Sequence, residues 1–191
     1  MRLEKRVSGL SVFMKTAIPI LIIWIIFGLQ YYGVLNGDCY AISINNGIFS
    51  ILTGPLFHAD LEHIISNTIP MLLCLPIIAR YYREHYSTIM ELGFLFPSIL
   101  IFVNGSSAIG ISGLCYALVF FTMVAGIFSE DRTRFLMGAM LVLFYGTLIK
   151  GATPLASFGV SWVGHLVGLI VGAVMGILSI KIKPKTRKYE E

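Results

Sequence analysis

Six apolar stretches, separated by short loops that carry nearly all the charge, confine this chain to folds that live in a lipid bilayer. They run roughly over Thr16–Leu35, Leu61–Ala79, Tyr86–Val103, Ser112–Phe128, Phe135–Ile149 and Phe158–Ile180. A helix needs about 20 apolar residues to cross a hydrocarbon core of about 30 Å. Within that core only helices and closed barrels satisfy every backbone N–H and C=O group. The composition agrees, with 57% of the 191 residues hydrophobic and 13% charged, about half the charged share of a soluble domain. The first run is no cleavable signal peptide, being long and lacking a small-residue cleavage site after it. The expectation is an all-α polytopic membrane protein forming one domain over residues 1–191.

Charge sets the expected orientation. With six spans both termini lie on one side, and every Lys and Arg except Lys150 falls there: Arg2, Lys5, Arg6 and Lys15, Arg80 and Arg83, Arg132 and Arg134, and the tail from Lys181 to Lys188. Positive loops stay inside, so both termini are expected in the cytoplasm. The net charge of +4 does not imply a nucleic-acid partner, because the basic residues are scattered over loops and tails. Cys39 falls in an outer loop and Cys74 and Cys115 within spans, at spacings that suggest neither a disulfide framework nor a metal site. His85 is expected to be solvated in an inner loop and Glu91 to snorkel to the inner surface.

Polar side chains inside a bilayer are costly and mark function or interhelical hydrogen bonding. The second run opens "FHADLEHIISN", where Asp60 is a plausible helix cap, His58 lies just outside, and His63 and Asn67 share one face at i and i+4. The spacing is not H-E-x-x-H, so a zinc-protease reading fails. His58, His63 and a third histidine lack the acidic ligand that would strengthen a metal reading. In the last run Gly164, Gly168, Gly172 and Gly176 recur every four residues, a stripe that lets helix backbones approach closely, and His165 lies beside it. The fourth run begins at Ser112 between Gly110 and Gly113. Its 17 residues span about 26 Å, less than the core thickness. Ser112 is therefore expected below the outer surface at a helix N-terminus, where free N–H groups favour developing negative charge. His165 is the candidate base, and Tyr116, four residues on from Ser112, shares the serine's face.

Taken together these motifs resemble the rhomboid family of intramembrane serine proteases, in its minimal six-span prokaryotic form. The likeness runs from about Pro55 to Gly176 and rests on three elements in family order: His58, His63 and Asn67 as H-x4-H-x3-N; Gly110, Ser112 and Gly113 as G-x-S-G, with Tyr116 following; and His165 followed by Gly168 and Gly172 as G-x-x-x-G. The resemblance implies a six-helix bundle and a Ser–His dyad with no third acidic member. Ser112 would be the nucleophile and His165 the general base. The Ser112 N–H, Asn67 and His63 would hold the oxyanion, and His58 would brace a loop. No cofactor or metal is implied. The implied partners are the bilayer and transmembrane protein substrates, in a prokaryotic cell membrane with the site on the extracytoplasmic side. The family's first outer loop often carries a Trp-Arg pair, which "NGDCYAISINNGIFSILTGPLF" lacks.

The fifth run, Phe135–Ile149, has 15 residues, too few for a full perpendicular crossing; either it is a short helix that serves as a movable gate for a substrate helix, or the helix extends about two to four residues past these ends. Two other classes remain open from the residues. One is a non-catalytic rhomboid-like chaperone that binds transmembrane helices. The other is a proton-coupled transporter, against which stand the lack of an inverted repeat and the scarcity of intramembrane acids.

Overall fold

A computed structural model describes residues 8–156 and 161–181. The flanking Arg2, Lys5, Arg6, Lys183, Lys185, Arg187 and Lys188, and the opening of the sixth apolar run, lie outside the described residues.

Helix α1 spans Gly9–Tyr31, displaced toward the N-terminus from the expected Thr16–Leu35. Ser8 caps its start, accepting the Ser11 N–H at 3.1 Å. Lys15 is tolerated inside the helix because its ammonium sits 4.4 Å above the Tyr86 ring. Gly33 ends the helix at φ +73, a left-handed turn that glycine adopts without strain and that apolar composition does not register. Helix α2 covers Leu61–Tyr81, and Asp60 caps it as expected, accepting the His63 N–H at 2.8 Å. Helix α3 covers Tyr86–Val103 and α4 covers Ser112–Ile127, each within one residue of expectation.

The fifth span takes the longer of its two expected forms. Helix α5 runs over Arg132–Tyr145 and continues as a 3-10 helix through Gly146–Ala152. At about 1.5 and 2.0 Å per residue the pair reaches roughly 35 Å, enough to cross. Helix α6 spans Trp162–Lys181.

Apart from α4, these stretches are long and apolar enough to cross a bilayer. Helix α4 is shorter because it is the centre of the bundle. Thirteen of its 16 residues are buried, from Gly113 to Gly126, as expected of a helix that is hydrophobic all round. The surrounding helices turn large apolar side chains such as Leu21, Ile25, Leu72 and Phe144 outward. The protein is a multi-pass integral membrane protein. His85 is not solvated as expected: its side chain is 11% exposed, because the turn Arg83–His85 folds it toward Phe121, with ring centroids 6.1 Å apart. Glu91 is exposed.

The most extensive packing joins α4 to α6, and the glycine stripe makes it. A Cβ on Gly168 would overlap the Gly113 carbonyl oxygen, and one on Gly172 the Ala117 carbonyl oxygen. At Gly176 it would meet the Val124 side chain at 2.8 Å, and Gly164 faces Ile101 of α3 instead. A second close approach, not singled out from the sequence, joins α4 to α5, where a Cβ on Gly126 would lie 2.8 Å from the Gly138 Cα.

Helix backbones cannot yield as side chains can. Gly168→Val and Gly172→Val are therefore expected to lower the thermal midpoint of the detergent-solubilised protein by the equivalent of about 1–3 kcal/mol or more. Gly176→Val should cost less. Gly28→Ala, whose added methyl meets nothing within 4 Å, should leave the midpoint unchanged or raise it slightly. A melting series over the four variants checks the order.

Candidate active site

Helix α4 begins at Ser112 because the preceding loop is pinned. Ile42 and Ala108 form an antiparallel bridge, and the Gly110 N–H donates to the Gly54 carbonyl at 3.1 Å. Gly110 adopts φ +107 and presses against His63, where a Cβ would come within 2.6 Å of the ring. This position needs glycine for both its conformation and its space. Gly113 packs against Pro97 and the Gly164 carbonyl, bringing the first turn of α4 against α6.

The sequence-derived pair meets across this seam. Ser112 Oγ lies 2.8 Å from His165 Nε2, and His165 Nδ1 lies 3.0 Å from the Gly151 carbonyl oxygen. A carbonyl only accepts, so Nδ1 carries the proton. Nε2 is then the bare nitrogen, and the Ser112 hydroxyl donates to it. Tyr116 stacks flat on the imidazole, with centroids 4.2 Å apart and planes at 12°. Its hydroxyl donates to the Leu148 carbonyl at 3.0 Å. The ring is thus fixed by a hydrogen bond on one nitrogen and by an aromatic face along its plane.

His63 and Asn67 face the same spot from α2. Asn67 is 4% exposed, and its Nδ2 has no hydrogen-bond partner among the described residues. The Cys115 thiol donates to the Asn67 carbonyl at 3.3 Å, tying α2 to α4. A cavity of about 620 Å³ joins these groups, lined by His63, Asn67, Gly110, Ser112, Tyr116 and His165 among others. Its lining includes Ser112, with the free N–H groups that open any helix beside it, and Asn67, whose amide is unpartnered among the described residues. Among the described residues no three His, Cys, Asp or Glu side chains converge as a metal-ligand set.

The model of the Rhomboid domain matches residues 45–182. The chain belongs to the rhomboid family. It is similar to an uncharacterized protein of Mycobacterium leprae (strain TN), at 30% identity over 77% of this chain and 65% of that protein. It is likewise similar to uncharacterized proteins of Mycobacterium bovis and Mycobacterium tuberculosis, at 32% identity over 74% of this chain and 63% of each. The matched region thus spans a little under two thirds of these curated relatives.

The first outer loop of this rhomboid chain folds without a Trp-Arg pair. Tyr40 stacks on Phe57 with centroids 4.6 Å apart. Asn46 Nδ2 donates to the Asp38 and Ala41 carbonyls at 2.8 and 2.9 Å, and Ser50 Oγ donates to the Gly47 carbonyl at 2.7 Å. His58 is fully buried, and neither of its ring nitrogens has a partner among the described residues. Its backbone, in contrast, pairs in both directions with the Gln30 carboxamide. Gly151 and Leu148 were not legible as site residues, because they act through carbonyl oxygens that every residue carries. A Cβ on Gly151 would overlap the Tyr116 hydroxyl, so that glycine also makes room for the stack.

Burial, with the His63 ring beside it, holds the His58 imidazole down to about 4 from its ordinary 6.5. Between these values the unfolded chain binds a proton that the folded one refuses. Stability is therefore full above about pH 6.5 and declines as the pH falls toward 4. Thermal midpoints of the micellar protein should drop across that window, and His58→Gln should flatten the slope. An unchanged slope in the variant would contradict the assignment.

Proposed function

We propose that this chain is an intramembrane serine endopeptidase that hydrolyses peptide bonds in or near transmembrane helices by a Ser–His dyad. The observation that carries the reading is the 2.8 Å contact of Ser112 Oγ with His165 Nε2, made while Nδ1 is held by the Gly151 carbonyl. Serine is a weak nucleophile unless a positioned base takes its proton. Here His165 Nε2 accepts that proton as Oγ attacks the scissile carbonyl carbon. The oxyanion forms where the Ser112 N–H, the Asn67 amide and His63 point. Asn67 supports this role through its buried, unpartnered Nδ2. The imidazolium returns its proton to the leaving amine, and a water then repeats the sequence on the acyl-enzyme. No carboxylate steadies the charged ring in this reading; the Gly151 carbonyl and the electron-rich face of Tyr116 do so.

A peptide bond in a transmembrane helix is hidden by its own hydrogen bonds, so cleavage needs local unwinding and water in a polar cavity. The site's position at the end of the bundle remote from the basic loops favours an extracytoplasmic active site, with both termini in the cytoplasm of a prokaryotic cell. The substrate helix would enter beside α5, whose irregular 3-10 continuation at Gly146–Ala152 is the element best suited to move.

Incubation with a labelled single-span substrate tests the reading. Ser112→Ala and His165→Ala should each abolish cleavage without unfolding the protein, because a dyad acts as a unit. A fold that binds the substrate helix with no Ser112-dependent turnover would make the chain a chaperone instead. Asn67→Ala should lower kcat by about 10² to 10³ with little change in substrate affinity. If the amide serves packing alone, Asn67→Ala would lower the thermal midpoint and leave the rate per folded molecule intact.

A further inference from the structure

The carboxamide of Gln30, near the end of α1, grips the backbone of His58 in both directions. Its Nε2 donates to the His58 carbonyl at 2.8 Å, and its Oε1 accepts the His58 N–H at 3.4 Å. Gly37 closes over the amide so tightly that a Cβ there would lie 2.9 Å from Gln30 Nε2. The His58 ring nitrogens make no hydrogen bond among the described residues, so the side chain does not share in holding this peptide. The next N–H along the chain, that of Ala59, donates to His63 Nδ1 at 3.4 Å.

An acceptor at Nδ1 must be bare, so the neutral His63 ring carries its proton on Nε2. That edge of the ring abuts Gly110, where a Cβ would meet both Cε1 and Nε2 at 2.6 Å, two residues before Ser112. The opposite tautomer would turn a lone pair toward the oxyanion that the peptidase reading places there. Asp60 does not set the tautomer, because it accepts from the His63 backbone N–H and not from the ring.

We propose that Gln30 is a positioning residue: by fixing the His58–Ala59 backbone it keeps the proton of His63 on Nε2, aimed at the oxyanion site. The link runs from α1, which contributes no group to the dyad, through one loop to a donor on α2. It rests on the peptidase reading only in taking His63 as an oxyanion donor.

The test uses the full chain in micelles with 15N-labelled histidine, alongside substrate kinetics. In the unmodified protein the His63 ring should report a proton on Nε2. In Gln30→Ala, and more mildly in Gly37→Ala, it should shift toward a mixture of tautomers. Turnover in Gln30→Ala should fall about 10- to 100-fold in kcat, the scale of a misplaced catalytic group, with KM within about twofold. In a His63→Ala background, Gln30→Ala should lower kcat no further, because two residues acting through one group are not additive. Gly37→Ala leaves α1 itself untouched and keeps the test valid if Gln30→Ala folds poorly. An unchanged His63 tautomer in both variants, or an equal kcat loss with and without His63, would overturn the proposal. If the unmodified protein shows no Ser112-dependent turnover, the peptidase reading fails, and the tautomer comparison by itself still decides the role of Gln30.

Discussion

The site depends on a contact between two helix backbones. At Gly168 and Gly172, α6 lies directly on carbonyl oxygens of α4. A side chain at either position would hold the helices apart by more than the tolerance of a hydrogen bond. Ser112 stands at the N-terminal end of α4 and His165 one turn before Gly168 on α6, so the seam sets the 2.8 Å between them. In a bilayer such close approach is itself a source of stability, because lipid tails give apolar side chains no reason to seek each other. One sequence device, glycine every fourth residue, therefore stabilises the bundle and fixes the spacing of Ser112 and His165.

The same economy governs the polar groups. The two imidazoles beside Ser112 each have one nitrogen committed to the backbone: His165 Nδ1 to the Gly151 carbonyl and His63 Nδ1 to the Ala59 N–H. The first partner accepts and the second donates, so the two rings hold opposite tautomers. Nε2 is therefore bare on His165 and protonated on His63. These opposite tautomers are the ones that the proposed roles, base for His165 and oxyanion donor for His63, require. In the proposed peptidase, backbone groups would take the place of a triad's buried carboxylate, without a second charge in a low-dielectric bundle.

Features that follow from residue identity were legible in the sequence. Asp60 announced the start of α2, the glycine stripe announced the seam, and Ser112, Tyr116 and His165 are brought together as their types and spacings suggested. What escaped was set by backbone conformation and three-dimensional partners. Apolarity carried the first span past Gly33, whose left-handed turn ends α1. The fifth span looked short because an apolar run stops at the charged Arg134 and Lys150, whereas the helix takes in Arg132–Arg134 at one end and, as 3-10 geometry, Lys150–Ala152 at the other. His85 carries a charge-capable ring in a basic loop yet folds against Phe121. Gln30 carries no signal in the sequence; its contact appears only when the loop bearing His58, 28 residues on, returns to it.

If His165 activates Ser112 across the glycine seam, the serine should react with an electrophile that needs no recognition of a substrate helix. The most direct measurement is covalent labelling of the membrane-embedded protein with a fluorophosphonate, followed by mass-spectrometric mapping of the adduct, which needs no substrate. A single adduct is expected on Ser112, lost in His165→Ala and much reduced in Gly168→Val. Absence of an adduct on Ser112, or equal labelling with His165 removed, would contradict that activation.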